Sequence, residues 1–492
     1  MPKRTKSLKK EALQDRQWVE GELGSLELSD ERLERRVKKM LGDMGAQPGA
    51  SLPQASGDWG ATKGAYRCLD NEEVEAEAML GAHRVAMLER ASSQRVVLAV
   101  QDTTALNFSA HPQTAGLWPI GKNQDKTIGL LLHSTLVLAE DGQALGILER
   151  QLTARDPKRF KAEPVGARNR KPVEQKESVK WLRSLEATVR AAHGLPQTLW
   201  LNIADREADS YDLFWRWMEL RADATQHAGA ARVELLVRCK HNRALSASQE
   251  RLFGHLARQT VVGHHQFTVP RQPGRKKRTA RLSVRMVEAS LPPPVDQVKY
   301  QKHFTPLRLW AIQALEEEPP EGEAPICWRL LSTLPVEDGA TAILQVQRYS
   351  RRWEIELFHK TLKSGCRVEA RQLENAQRLG RCLILDMIVA WRVQALSKAG
   401  RGEHADQPVS QWLESHEWQA LWCYIHQQTR APETPPSTFQ AMRWVAQLGG
   451  FLGRRQDGHP GAMTLWRGLQ RLEGFACAYL LFSTPQKDVG NA

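Results

Sequence analysis

Three acidic residues of this chain have the spacing and surroundings of a site for phosphodiester chemistry. Asp102 follows the mainly apolar run 95–101, and Asp205 follows a second such run, 199–204. Glu356 lies far downstream, in a segment that also contains Tyr, Arg and Lys side chains. Carboxylate oxygens are the ligands that Mg²⁺ prefers, and two ions held by shared carboxylates activate the attacking oxygen and stabilise the leaving one. The sequence therefore predicts two Mg²⁺ ions held by Asp102, Asp205 and Glu356.

The segment 349–363 is predicted to form one helix with a charged stripe. At about 100° per residue, the following side chains fall within a stripe roughly 80° wide: Tyr349, Arg352, Glu356, Lys360 and Lys363. Arg binds phosphate through a fork of donors, Lys as a point charge and Tyr through its hydroxyl group. For this stripe the alternative is a solvated surface with an i,i+4 ion pair. For Asp102 and Asp205 the alternative is an aspartate that only caps a turn.

Strands and helices that would position these acids follow a recognisable order. Hydrophobic patterning predicts strands near 95–101, 127–138, 144–152, 199–205 and 233–237, with helices at 174–193 and from about 211 to 217. Three strands, a helix, a strand, a helix and a strand form the order of an RNase H-like (retroviral-integrase-like) α/β core. Asp102 and Asp205 then follow its first and fourth strands, where catalytic side chains commonly face a crevice.

The rest of the chain divides into further units by residue composition and hydrophobic pattern. Residues 1–75 are predicted to form a basic helical unit, and 399–492 are predicted to form a helical C-terminal domain. The catalytic domain spans 76–398 and contains a mainly β insertion at about 240–340, which is marked by alternating apolar segments and Pro-rich breaks.

Composition narrows the class of protein. The chain has 492 residues, with 69 Lys and Arg against 56 Asp and Glu and a net charge of +13. Such an excess favours a polyanionic partner such as nucleic acid, although a basic cytosolic protein without this role is the alternative. Seven scattered cysteines without a Cys-x-x-Cys pair argue against structural zinc and a disulfide framework. Because no apolar run is long enough for a membrane span, we expect a reduced, cytoplasmic protein.

The acids and the charged segment together resemble a known family. Tyr349, Arg352, Glu356 and Lys363 reproduce the Y-(2)-R-(3)-E-(6)-K pattern of bacterial insertion-sequence transposases of the DDE class. Asp102, in Gln-Asp-Thr-Thr, is similar to one of the family's other two acids. Asp205, in Asp-Arg-Glu-Ala-Asp, is similar to the other. The resemblance is closest to the hairpin-forming, cut-and-paste members found in composite antibiotic-resistance transposons.

The resemblance implies more than the residues state on their own. Such enzymes act as homodimers on double-stranded DNA, namely paired transposon terminal inverted repeats and a target. They nick the DNA, form and resolve a hairpin, and join the 3′ ends to the target, using two Mg²⁺ ions for which Mn²⁺ is expected to substitute. The family places end recognition in the N-terminal helices and dimerisation in the C-terminal helices. Its members lie in the bacterial cytoplasm, associated with the nucleoid through DNA.

Four further residues gain a role only through the resemblance. Trp328 precedes Tyr349 by the spacing of the family's base-stacking tryptophan, and Trp353 lies inside the motif segment. Stacking on a flipped base contributes about 1–3 kcal/mol. Arg238 and Lys240 match residues that contact the end DNA near that base. For Trp328 the alternative is an ordinary core tryptophan.

Two other functions fit the same residues. An inactive DNA-binding regulator descended from a transposase would bind ends without cleaving them. A structure-specific RNase H-like nuclease would cleave DNA but form neither hairpins nor joined products.

Overall fold

The computed structural model describes residues 16–121, 127–154, 173–225, 231–246, 248–269, 277–293, 306–402, 404–454 and 457–483. Residues 1–15 of the predicted N-terminal unit and 484–492 of the predicted C-terminal domain lie outside these ranges. Within them, no helix combines the length and the apolar character needed to cross a membrane.

The N-terminal unit is helical, as predicted. Its helices are α1 (Gln17–Leu23), α2 (Glu31–Ala46), α3 (Leu52–Ser56) and α4 (Trp59–Asp70), and α5 (Ala76–Ala91) follows at the start of the predicted catalytic domain. Capping explains where two of them begin. The side chain of Asp30 accepts a hydrogen bond from the backbone N–H of Arg32, and that of Asp58 accepts one from Ala61. Each bond satisfies a helix N–H group that has no partner inside the helix.

A central sheet follows. Its first strands are β1 (Val96–Asn107), β2 (Trp118–Pro119), β3 (Ile128–Ala139), β4 (Ala144–Thr153), β5 (Leu199–Ala204) and β6 (Arg232–Arg238). The spatial order β4-β3-β1-β5-β6 is antiparallel from β4 through β1 and parallel from β1 to β6. The connections within the parallel part carry helices α6 (Val179–His193) and α7 (Tyr211–Thr225).

Residues of the predicted insertion extend the same sheet. The strands that extend it are β9 (Gly263–Val269), β10 (Arg278–Leu291), β11 (Leu307–Glu316) and β12 (Cys327–Ser332). Before them, β7 (Ala244–Leu245) and β8 (Ser248–Arg251) pair with each other in a small separate sheet, and α8 (Leu252–Ala257) follows. Strand β12 pairs antiparallel with β6, and β11, β10 and β9 follow it outward. The insertion is therefore mainly β, as expected, and it is continuous with the strands that carry the acids.

The C-terminal third is helical. It comprises α9 (Gly339–Ser350), α10 (Trp353–Lys360), a π-helical turn (Thr361–Gly365), α11 (Ala376–Ala399), α12 (Ser415–His426), α13 (Thr438–Leu448) and α14 (Ala462–Ser483). Short 3₁₀ turns occur at Val173–Gln175, Arg206–Ala208, Val368–Ala370 and Val409–Gln411.

The two faces of the sheet support separate cores. Alternate residues of β1 point to opposite faces, so Leu98 and Val100 join one buried cluster and Val97 and Ala99 the other. The first cluster receives Ile355 and other side chains of the C-terminal helices, whereas the second receives α6. Helix α10 is thereby packed on the face of Val100.

Two local predictions were wrong. Strand β1 does not end before Asp102 but continues to Asn107, because pairing with β3 carries it onward. The segment 349–363 is not one helix: α9 ends at Ser350, a turn covers 351–352, and α10 begins at Trp353. The five residues of the predicted stripe therefore lie on two helices, a turn and the π-helical turn.

Candidate active site

Strand register brings two of the predicted acids to neighbouring positions. Strands β1 and β5 pair in parallel as far as Val100 and Ile203. Asp102 and Asp205 each lie two residues further on, and the alternation of side chains places Asp102 on the face of Val100. Asp205 caps the following 3₁₀ turn, where its side chain accepts a hydrogen bond from the backbone N–H of Glu207 at 2.8 Å.

The third acid reaches this position through an arginine. The guanidinium of Arg352 donates from Nη1 to Asp102 Oδ2 at 3.1 Å and also pairs with the Glu356 carboxylate. Burial opposes the charge on this guanidinium, but Tyr349 and the carboxylates of Asp102 and Glu356 raise its pKa. Arg352 is 250 positions from Asp102 and four from Glu356, and this one cation thus joins the two acids.

The electrostatics of Asp102 show how closely the acids lie. Burial raises the pKa of Asp102, and the neighbouring carboxylates of Asp205 and Glu356 raise it further. Arg352 and the backbone N–H of Thr103 act in the opposite direction. Like charges that influence one another in a half-buried crevice need a cation to balance them.

An aromatic group lies beside the acids. The Trp328 ring is 5.6 Å from that of Tyr349 and 4.8 Å from that of Phe267, both edge to face. Tyr349 is 3% exposed, and burial raises the pKa of its hydroxyl group. Arg238 is close enough to influence that hydroxyl electrostatically. The structure therefore brings Trp328 and Arg238 to Tyr349, but the buried Tyr349 hydroxyl is not presented to a phosphate in this conformation.

The other predicted contact residues differ in exposure. Lys360 is exposed, and Trp353 is 40% exposed at the start of α10. Lys363 is half-buried: its Nζ donates to the Ala105 carbonyl at 2.9 Å and pairs with Glu369 at 3.2 Å. Lys360 and Trp353 are thus open to a ligand, whereas Lys363 is tied to β1 near Asp102.

Lys240 is positioned by a residue without an assigned role in the sequence prediction. Asp209 is 3% exposed, and its Oδ2 accepts hydrogen bonds from the backbone N–H groups of Lys240 at 2.6 Å and His241 at 2.9 Å. The same carboxylate pairs with Arg243 at 2.7 Å. Asp209 therefore holds the loop that presents Lys240. The signal in the sequence was its place in the acidic run after Asp205, but the run does not reveal which of its acids is buried.

A second residue that the prediction omitted fixes α10 on the sheet. His359 is buried and hydrogen bonds through Nε2 with Ser134 Oγ at 2.8 Å. Ser134 is the β3 residue paired with Asp102. Burial, together with the charges of Lys363 and Arg352, lowers the pKa of His359 to about 3. The ring is therefore neutral at physiological pH and joins α10 to the strand beside Asp102.

The neutral state of His359 makes folding stability depend on pH. An unfolded histidine titrates near pH 6.5, so between pH 6.5 and about 3 the unfolded chain binds a proton that the folded chain does not. This contribution to stability is complete above pH 6.5 and is lost as the pH falls, by about 1.4 kcal/mol per pH unit. We expect the urea-unfolding midpoint to fall between pH 7 and 5, and to fall less steeply in His359→Gln.

An exposed histidine provides the control for that measurement. His264 lies on the edge strand β9 with its side chain exposed, so His264→Gln should leave the pH slope unchanged. Identical slopes for His359→Gln and the unmodified chain would show that His359 does not carry this linkage.

The segments on either side of the site match two family models. The Transposase DNA-binding model matches residues 15–74. The Transposase Tn5 dimerisation domain model matches residues 388–480. A DNA-binding segment before the site and a dimerisation segment after it support a transposase, with DNA as its partner and a homodimer as its assembly. The particular family that the two matches support is that of the Tn5-like transposases.

Proposed function

We propose that this chain is a cut-and-paste DNA transposase with an RNase H-like catalytic core. It binds terminal inverted repeats, nicks them, forms and resolves a hairpin, and joins the freed 3′ ends to target DNA. The supporting observation is that Arg352 pairs with both Asp102 and Glu356, and that Asp205 is close enough to raise the pKa of Asp102. Segments matched to transposase DNA-binding and dimerisation models flank this group.

The strand arrangement supports the proposed core. The order β4-β3-β1-β5-β6 has an antiparallel meander on one side and two parallel strands on the other. An RNase H-like core has this order, with acids on its central strand and at the end of the adjacent parallel strand. Asp102 and Asp205 occupy those positions. The predicted division at residues 75 and 398 stays a prediction.

The carboxylates suit magnesium. In the described residues, no three His, Cys, Asp or Glu side chains converge closely enough to share a metal ion, and Arg352 lies between Asp102 and Glu356. Two of these hard oxygen donors, on Asp205 and Glu356, raise the pKa of the third, Asp102, and a divalent cation would stabilise such a set of like charges. Asp102, Asp205 and Glu356 would hold Mg²⁺, or Mn²⁺ in its place.

The cations of the site then have defined tasks. When bound, the two ions would activate the attacking hydroxyl group and stabilise the leaving oxygen. Arg352, released from its two carboxylates, would bind a phosphate through its fork of donors. The exposed Lys360 and the β1-linked Lys363 would contact neighbouring phosphates, and Arg238 and Lys240 would contact the end DNA beside the aromatic group.

A gel assay tests the proposal. The purified chain is incubated with Mg²⁺ and a DNA fragment that carries the terminal repeats flanking its own gene. Hairpin-ended fragments and joined products are the expected result. Nicked products alone would identify a structure-specific nuclease, and end binding without any cleavage would identify an inactive regulator.

Trp328 should separate the nicking step from the hairpin step. The first nick needs the acids and metal ions, whereas the hairpin needs a base to leave the helix and stack on an aromatic ring. Loss of stacking removes about 1–3 kcal/mol of the free energy that stabilises the flipped base, so Trp328→Ala should reduce hairpin formation about tenfold to a hundredfold. The rate of the first nick, followed on the same gel, should change little.

A second partly buried tryptophan of the sheet serves as the control. Trp310 on β11 packs against the same core as Trp328. Trp310→Ala should therefore match any general effect of losing a tryptophan from this sheet, without a selective loss of hairpins. Equal slowing of both steps in Trp328→Ala would show that Trp328 is a structural residue.

A further inference from the structure

Helix α10 is held on two opposite sides. Glu354 and Glu356 are two residues apart, so their side chains point about 200° apart around the helix axis. Glu356 faces Arg352 and the strand that carries Asp102. Glu354 is 7% exposed and faces α11. A helix fixed on both sides cannot rotate without breaking one set of contacts.

The contacts on the Glu354 side come from one face of α11. Gln394 Nε2 donates to the Glu354 carbonyl at 2.9 Å and to Oε2 at 3.1 Å, and Lys398 Nζ pairs with Oε1. Gln394 and Lys398 are four residues apart and therefore share a face of the helix. Arg401 adds positive charge to the same surroundings. Removing one partner of such a buried pair leaves an unbalanced charge, unlike removal of a surface pair.

We infer that Gln394 and Lys398 position Glu356 by holding Glu354, so that the dimerisation segment sets the geometry of the third acid. Both residues lie within the segment that matches the Transposase Tn5 dimerisation domain, 388–480. The same stretch of chain therefore grips α10 and belongs to the unit that joins two copies. The inference rests on the proposed function, which assigns Glu356 to the metal ions. Glu354, Gln394 and Lys398 are positioning residues, since none of them reaches the three proposed metal ligands.

The contacts of Gln394 and Lys398 with Glu354, called the clamp below, affect the orientation of α10 more than its folding. Ile355 and Phe358 are fully buried and already anchor α10 against the core. A shift of about 1 Å at a reacting group lowers a rate by up to about a hundredfold. Loss of the clamp should therefore impair metal-dependent chemistry while α10 stays packed.

Removing or reversing the charges of Lys398 and Glu354 tests the inference. Lys398→Met, Lys398→Glu, Glu354→Lys and the double variant E354K/K398E are compared with Glu77→Gln, which removes an exposed ion pair with Arg84. Three quantities are measured: the cleavage rate over a range of Mg²⁺ concentrations, affinity for end DNA, and amide hydrogen exchange of α10 in the DNA-free chain. The exchange measurement does not depend on catalysis.

The expected pattern is specific to positioning. Lys398→Met should cleave about tenfold more slowly and need more Mg²⁺ for half-maximal rate, with end binding unchanged. The single charge reversals, Lys398→Glu and Glu354→Lys, should cleave more slowly still, and their α10 amides should exchange faster. The cleavage rate of the double variant E354K/K398E should recover to within about threefold of that of the unmodified chain. Glu77→Gln should behave like the unmodified chain.

Two results would overturn the inference. One is normal cleavage and normal Mg²⁺ dependence in Lys398→Met. The other is a double variant that stays as impaired as the single variants while folding normally. If the unmodified chain fails to cleave at all, the proposed function falls. The hydrogen exchange of α10 amides then tests separately whether the Glu354 contacts hold α10. Protection that is lost in Lys398→Glu and restored in E354K/K398E supports this role, and unchanged protection refutes it.

Discussion

Replacing Glu356 by Gln should abolish nicking, hairpin formation and joining together. The amide keeps the size of the side chain but removes one of three charges that would hold the metal ions, and a neutral amide is a poor substitute as a bridging ligand. Removal of an essential catalytic group lowers rates on the order of 10³-fold or more. End binding, measured by mobility shift, should stay within a few-fold of normal because the matched DNA-binding segment, 15–74, is untouched.

A nearby carboxylate serves as the matched control. Glu207 follows Asp205 by two residues, but its side chain is 66% exposed and contacts Lys180 on the surface. Glu207→Gln should retain full cleavage. If Glu356→Gln cleaves at a normal rate, Glu356 is not the third acid; if it loses end binding as well, its role lies in folding or DNA contact.

Local pattern was sufficient to select Asp102 and Asp205 as candidate acids but did not reveal their surroundings. Asp102 and Asp205 are recognisable because each follows an apolar run that forms a strand. The continuation of β1 beyond Asp102 was not predictable, since it depends on pairing with β3, which places Asp102 opposite Ser134. A strand ends where its partners end, and those partners lie elsewhere in the chain.

The break between α9 and α10 has the same kind of cause. The segment 349–363 contains neither Gly nor Pro, and its charged residues recur with helical spacing, so the local pattern predicts one helix. Contacts from distant parts of the chain surround the turn: Arg348 donates to Glu140 at 2.7 Å, and Arg351 lies against Gly142. Both partners are in the β3–β4 turn, whose position no local pattern reveals.

Burial explains why Asp209 and Glu354 were given no role. Asp209 lies four residues after Asp205 and Glu354 two residues before Glu356, and the helical stripe of Glu356 excludes Glu354. The structure buries both, and each carboxylate holds a neighbouring segment: Asp209 the loop of Lys240, and Glu354 the end of α11. Sequence reasoning identifies the groups that touch a ligand more readily than those that hold them, because the second kind is defined only by tertiary contacts.

The second large effect is expected at a buried ion pair behind the site. Arg371→Met should lower the free energy of unfolding by about 3–5 kcal/mol. Arg371 donates to Asp386 from Nε at 3.1 Å and from Nη2 at 2.6 Å, and both side chains are almost fully buried. Its Nη1 also donates to the Ala50 carbonyl at 2.6 Å, which ties the N-terminal unit to α11. Removal of the guanidinium leaves a buried carboxylate without its counter-charge.

The deficit of Arg371→Met should grow with pH. Burial already raises the pKa of Asp386, and Arg371 is the main group that opposes this rise. Without Arg371 the folded pKa moves further above the unfolded value of about 3.9, so folding loses stability as the pH rises from that value through the folded pKa. Thermal unfolding compared with the unmodified chain at pH 5 and pH 8 should show the larger gap at pH 8.

The double variant R371M/D386L distinguishes an unbalanced charge from lost packing. Replacing both partners of a buried pair by apolar groups is often nearly neutral, since no charge is left in the interior. We therefore expect R371M/D386L to unfold at a higher temperature than Arg371→Met alone, with a gap to the unmodified chain that no longer depends on pH in this range. A double variant that is no more stable than Arg371→Met would mean that lost packing and the lost bond to Ala50 cause the deficit, and that the charge of Asp386 contributes little to it.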